Sequence, residues 1–321
     1  MLWTRQAAAV AVTALLAGCV PANSAPLAGS PSAGSTFTPT PSASPTSDVL
    51  DFTQPGVAKT MIRDLVRASS STQVIMVSVR QHEATVSVLR DGKPYTWAYR
   101  EGLIRQIDTD LVYVGQVTFS PDAFDLSDVG KLFKTASYLA GSSANQELQI
   151  IDLRRVEHAA SELKMSVSTN PETRTVFFDP DGTPVREFNF NTAYGITEGL
   201  AEALGSHTSA TTVSVSSAAG AYIEYPGEDG STIVRRERRP RFPVLDASRS
   251  GNERLPPFDP RTVSGSVIWS VLQRQTGGTF GADTVWSVVA DARDSLTAPR
   301  LYFTIKGTRL VTDLTGNEIK P

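Results

Sequence analysis

Few side chains in this chain stand at spacings that suit chemistry. The only cysteine, Cys19, follows Leu16-Ala17-Gly18. Its thiol is a nucleophile, and with no second cysteine it closes no disulfide within the chain. The three histidines, His82, His158 and His207, are scattered, and none has another His or Cys at ligand spacing. The sequence therefore predicts no metal site and no cofactor. Asp179-Pro180-Asp181-Gly182 begins like a calcium loop but lacks the ligands beyond its glycine, so it reads as a hairpin turn. Ser161-Glu162-Leu163-Lys164 has a Ser-x-x-Lys spacing that serves acyl transfer when the serine opens a helix. Here Leu163, Met165 and Val167 alternate as a strand, and the spacing reads as chance. Asp152, Arg154, Asp291 and Arg293 fall at matching places in two copies of a repeat. They are the first suspects for an active site assembled only in three dimensions, though as strand-end charges they more simply pair on the surface. No catalytic residue is expected, and the chain does not read as an enzyme.

The densest charge run is Arg235-Arg236-Glu237-Arg238-Arg239-Pro240-Arg241. It could meet anionic headgroups or acidic wall polymers. The simpler expectation is the solvated face of an edge strand, where charge and proline discourage pairing with other chains.

The chain opens with a single positive charge, Arg5, and no acid. Gln6 to Ala17 is then mostly Ala, Val and Leu. About a dozen apolar residues suit the core of an export signal and are too few to cross a ~30 Å hydrocarbon layer. Ended by Leu16-Ala17-Gly18-Cys19, this stretch resembles the lipobox signal peptide of bacterial lipoproteins. The resemblance implies that residues 1–18 are removed and that Cys19 becomes the first mature residue. It would carry a diacylglyceryl thioether, often with an acyl group such as palmitate on its amine. Two or more chains anchor stably where one does not. The resemblance thus places the chain at the cell membrane, lipid-anchored on its extracytoplasmic face, with membrane lipid as a partner through acylated Cys19. It covers the leader alone and carries no information about the fold.

Residues 19–50 hold the lipidated cysteine and a linker built almost wholly from Pro, Ser, Thr, Ala and Gly. Such a composition cannot bury enough apolar surface to offset its ordering entropy, so disorder is expected. A tether of this length reaches roughly 30 Å.

About 270 residues remain, enough for two domains of about 130. They read as a tandem repeat. Phe124-Asp125 with Val129 recurs as Phe258-Asp259 with Val263. Asp179 to Gly182 with Val185 recurs as Asp313 to Gly316 with Ile319. Both shifts are 134 positions, from 124 to 258 and from 179 to 313. Asp91-Gly92 answers to Asp229-Gly230, and Leu163, Met165 and Val167 to Leu301, Phe303 and Ile305. The expected domains are residues 51–190 and 191–321.

Each copy reads as a helix, three strands, a helix and three strands. Val57, Met61, Leu65 and Val66 share one helical face; Ile196, Leu200, Ala203 and Leu204 share another, ended by Gly205. Val74 to Val77 reads as a central strand, Asp91-Gly92 as a hairpin turn and Leu111 to Phe119 as a third strand. Asp125 and Asp259 are read as caps of the second helices, with Pro260 at the first helical position. The expected fold class is α+β: two tandem related α-β-β-β-α-β-β-β domains, antiparallel sheets with helices on one face.

The function expected is a non-catalytic binding or accessory role in the cell envelope, with an envelope protein or cell-wall component as partner. Nucleic acid is excluded by export and by a net charge of −3. A carrier of an apolar ligand is the alternative suggested by the stripe Tyr95, Trp97, Tyr99; an uncharacterised envelope enzyme is the third.

Overall fold

A computed structural model describes residues 49–152, 163–252, 254–281, 284–293 and 298–320. Cys19, Arg154, His158 and Ser161 lie outside the described residues.

The first half opens with helix α1 (Val57–Ser69), followed by an antiparallel meander of β1 (Val74–Val79), β2 (Ala84–Arg90), β3 (Lys93–Arg100) and β4 (Leu103–Ile107). Helix α2 (Val129–Ala140) crosses back to β5 (Glu147–Asp152), β6 (Leu163–Ser168) and β7 (Val176–Phe178). The strands lie in the order β4-β3-β2-β1-β5-β6-β7, antiparallel at every pairing. The second half repeats this with α3 (Ala193–Leu204), β8 (Thr212–Ser216), β9 (Gly220–Pro226), β10 (Thr232–Arg238) and β11 (Val244–Ser250). Then follow α4 (Gly265–Gln275), β12 (Trp286–Asp291), β13 (Arg300–Ile305) and β14 (Thr308–Thr312), in the order β11-β10-β9-β8-β12-β13-β14. The fold is α+β, a doublet of similar antiparallel sheet units.

Local sequence explains these elements. Ala58, Met61, Ile62 and Leu65 recur at helical spacing and are buried under α1. Asp91 and Gly92 both take positive φ, 50° and 71°, which lets Arg90 and Lys93 pair across a two-residue hairpin. Lys306 and Gly307 do the same between β13 and β14. The alternation of each sheet puts Val77, Val86, Ile150 and Met165, or Val215, Ile223, Val288 and Phe303, on the face covered by its two helices. The duplication is literal at one turn: Gly182 donates to the Asp179 carbonyl as Gly316 donates to that of Asp313.

Three expectations need correction. Each half has seven strands rather than six. Glu101 and Gly102, with φ of 54° and 80°, turn the chain from β3 into β4, and Leu103–Ile107 becomes the edge strand. Leu103–Ile107 takes the place beside β3, and residues 111–119 are not a strand. Only Phe119 bridges to Val74, while Val112 and Val114 are exposed.

The second correction concerns helix starts. Asp128 caps α2 by accepting from the Lys131 N–H at 2.8 Å, while Asp125 accepts from Ser127 one turn earlier. Asp259 and Pro260 open a single 3-10 turn, Pro260–Thr262, and α4 starts only after Ser264. The counterpart of that turn is Pro121–Ala123, and Phe258 bridges Ala210 as Phe119 bridges Val74. The Phe124 and Phe258 match is therefore one turn out of register.

Third, β10 is flanked by β9 and β11, so the arginine run lies on an inner strand and not an edge.

The segment before each first helix belongs to the core beside it. Phe52 is buried in the first core, Phe188 and Phe190 in the second. A methyl group on Gly195, at the start of α3, would overlap the Asn189 carbonyl, a backbone group with nowhere to go. Gly195→Ala should cost about 1–3 kcal/mol of stability by overpacking. Urea unfolding measures this, and an unchanged midpoint would refute the tight approach.

Candidate functional site

At the end of the first sheet where β1 stops and β2 begins, a groove of 1090 Å³ opens to solvent. One wall is α2, through Gly130, Phe133, Lys134 and Ser137; the loops around Asn145 and Asn170 and the segment Thr53–Pro55 complete it. Close approach builds this corner, since a side chain at Gly130 would strike the Thr53 carbonyl.

Two cross-strand ion pairs lie in the lining, beside Glu101, Asp128 and Lys134. Arg80 donates to Glu147 Oε2 from Nη2 at 2.6 Å and from Nε at 3.0 Å. Ser78 and Gln149 each donate to Glu147 Oε1 at 2.7 Å. Burial by itself pushes the Glu147 carboxyl up, but these three donors outweigh it and hold it below the ordinary carboxylate value. Arg80 is raised in turn, first by its hydrogen bond to Glu147. Across the sheet, Arg100 donates to Glu83 from Nε at 2.7 Å. His82 sits in the β1–β2 turn, its Nδ1 3.0 Å from the Leu50 carbonyl oxygen.

Among the described residues, Lys134, Ser137 and the side chain of Asn170 make no such bonds. The arrangement thus presents neutral donors and acceptors, one unpaired cation, two carboxylates engaged by arginine, the helix-capping Asp128 and the exposed Glu101.

The corresponding helix-to-strand loop of the second half carries an aromatic side chain. Phe280, on the α4–β12 loop, meets Trp269 of α4 edge-on at 5.1 Å and lies 6.5 Å from Trp286 of β12. Trp286 is 2 % exposed, and its Nε1 donates to Asn191 Oδ1 at 2.8 Å.

The candidates from the sequence do not converge. Asp152 accepts from the Val117 N–H at 3.1 Å. Asp291 accepts from Arg293 Nε and Nη2 at 2.7 and 2.5 Å, and Arg293 stacks over Tyr302 at 3.8 Å. The two aspartates are not equivalent. Asp152 alternates with Ile150 on the helix side, whereas Asp291 follows Ala290 and points to the other face. Lys164 lies in β6 and pairs with Asp179 at 2.5 Å. His207 follows α3, its ring 4.6 Å from Tyr225. The stripe Tyr95, Trp97, Tyr99 packs against the first core, with Tyr99 edge-on to Phe52 at 5.4 Å. It is sheet-to-helix packing.

The arginine run is consumed internally. Arg235 reaches Glu224 at 2.7 Å, Arg236 reaches Asp246 at 3.3 Å, and Arg239 reaches Glu237 at 2.6 Å. Arg238 is fully buried. It donates to Glu202 of α3 at 2.6 Å and to the carbonyls of Arg186, Arg239 and Phe242, with its guanidinium over the Phe188 ring.

Sequence reasoning missed Arg80, Glu83, Arg100 and Glu147. The available signal was opposite charge just beyond paired strand residues: Val79 faces Leu148 and Ala84 faces Tyr99, so Arg80 meets Glu147 and Glu83 meets Arg100. That signal appears only once the pairing is known.

With its fold and groove described, the chain is a duplicated α+β protein whose two copies differ at one corner. No protein-family model and no curated protein matches its sequence.

Two measurements bear on these ion pairs. Arg238→Ala should lose about 3–5 kcal/mol, because Glu202 and three carbonyls lose a buried partner; a loss below ~1 kcal/mol in denaturant titration would contradict its clamping role. For Glu147, the folded value lies below the unfolded one, so its contribution is present above about pH 4.3 and disappears as pH falls through the folded value. Stability of Glu147→Gln should accordingly change less than wild type on acidification below pH ~4. Parallel pH curves would show that Glu147 is not held down.

Proposed function

We propose that the chain is a lipid-anchored extracytoplasmic protein of the cell envelope, non-catalytic, that binds another envelope component. The observation that carries this reading is the sole cysteine placed directly after Leu16-Ala17-Gly18 at the end of a short apolar run. A Pro/Ser/Thr-rich tether then separates this anchor from the folded halves. The open polar groove of the first half supports a binding role, since it offers many hydrogen-bonding groups around carboxylates already engaged by arginine.

The reading is tested by comparing wild type with Cys19→Ala in fractionated bacterial cells labelled with palmitate. Wild type should sediment with membranes, carry label and be released by detergent. The variant should lose the label and its membrane association. A variant that stays membrane-bound, or wild type with an unmodified sulfur by mass spectrometry, overturns it.

A further inference from the structure

We propose that the groove of the first half is an oligosaccharide-binding site. The comparison between the two copies makes the argument. In the second half the loop at this corner carries Phe280, packed edge-on against Trp269 of α4. In the first half the α2–β5 loop brings Ser143, Asn145 and Gln146 where the α4–β12 loop brings Phe280.

The lining chemistry selects the ligand class. Amides and hydroxyls act as both donor and acceptor, which suits a ligand dense in hydroxyl and amide groups. An extended peptide would need apolar pockets for alternate side chains. Phe133 is the one large apolar ring of the lining, beside the imidazole of His82, and it is buried at 6 % exposure. Glu147 and Glu83 already have guanidinium partners, Asp128 caps α2, and Glu101 is solvent-exposed 4.0 Å from Arg105, so none of them demands a cationic ligand. Lys134 stands unpaired on the groove-facing side of α2 and adds a site for a carboxylate on the sugar. At 1090 Å³ the space lies just above the ~300–1,000 Å³ range of small-molecule pockets, which favours an oligomer over a single small molecule.

This site deepens the binding role proposed above, and the two fail separately because sugar binding is measured on purified protein whatever its anchorage. The test is calorimetric titration of the full chain in detergent with peptide-free peptidoglycan strands of four to eight sugars. These carry hydroxyl, acetamido and carboxylate groups. Polyglutamate serves as the acidic peptide comparison. Saturable binding of the strands is expected, weakened at least about tenfold by Lys134→Ala and abolished by Ser137→Trp, which fills the groove from the solvent side of α2. Circular dichroism melting checks that both variants remain folded. Phe280→Ala, in the second half, should leave affinity unchanged. No saturable binding, binding of polyglutamate in preference to the strands, or full affinity in a folded Ser137→Trp variant each overturns the proposal.

Discussion

The relation between the two halves depends on one buried guanidinium. Arg238 ends β10 with no solvent exposure, so all its donors must find oxygen within the protein. They find it on three separate pieces of chain: Glu202 of α3, the carbonyls of the β10–β11 turn, and the carbonyl of Arg186 in the segment joining the halves. A planar fork with five donors can satisfy such a dispersed set where an ammonium could not. The turn it fixes carries Phe242, which meets Phe177 of β7 at 5.4 Å, while Arg174 and Arg241 both reach Glu187. A single side chain thus fastens the connecting segment, a helix and the hairpin that touches the first sheet. Its burial is expensive, and that cost fits a role in fixing one arrangement better than one of adding stability.

Duplication explains the rest of the architecture and also its asymmetry. Both halves keep the seven-strand order, the glycine turn after the last strand and an aromatic ahead of the first helix. These features are set by backbone geometry or core volume, which tolerate little change. The corner beside the second helix is free of that constraint, because it lies past the strand ends. There one copy has taken phenylalanine, Phe280, packed on Trp269, and the other amides, hydroxyls and ion pairs.

How far the sequence could be read follows from which signals are local. Helix faces, two-residue turns and the duplication itself were legible, since periodicity, Asp-Gly pairs and ordered repeats are written along the chain. Leu111 to Phe119 looked like a strand because it is rich in valine and aromatics, yet strand propensity is weak without tertiary pairing, and only Phe119 bridges to the sheet. The cap of the second helix was misassigned for a related reason: Asp259-Pro260 suits the start of any helix, and nothing local separates a single 3-10 turn from an α-helix. The arginine run was misplaced on an edge strand and the burial of Arg238 missed, because the partners Glu224, Asp246 and Glu202 come from other elements. The groove was illegible altogether. Its residues are ordinary polar side chains spread from Val49 to Asn170, and only strand register and the fold of α2 bring them together.

The electrostatics of that groove set what it can recognise. A carboxylate with an arginine, a serine and a glutamine already on its oxygens keeps little capacity for further donors. Bringing a cation there would mean competing with bonds that are short and partly shielded from water. Neutral hydroxyl and amide groups meet no such competition, and they exchange bonds with water at small net gain, on the order of 1 kcal/mol each. Affinity for one such ligand is then modest, and for the anchored protein proposed above it would rise when many copies face a polymer with repeated units. A polar groove of this kind is in this respect better matched to a repetitive partner than to a scarce soluble one.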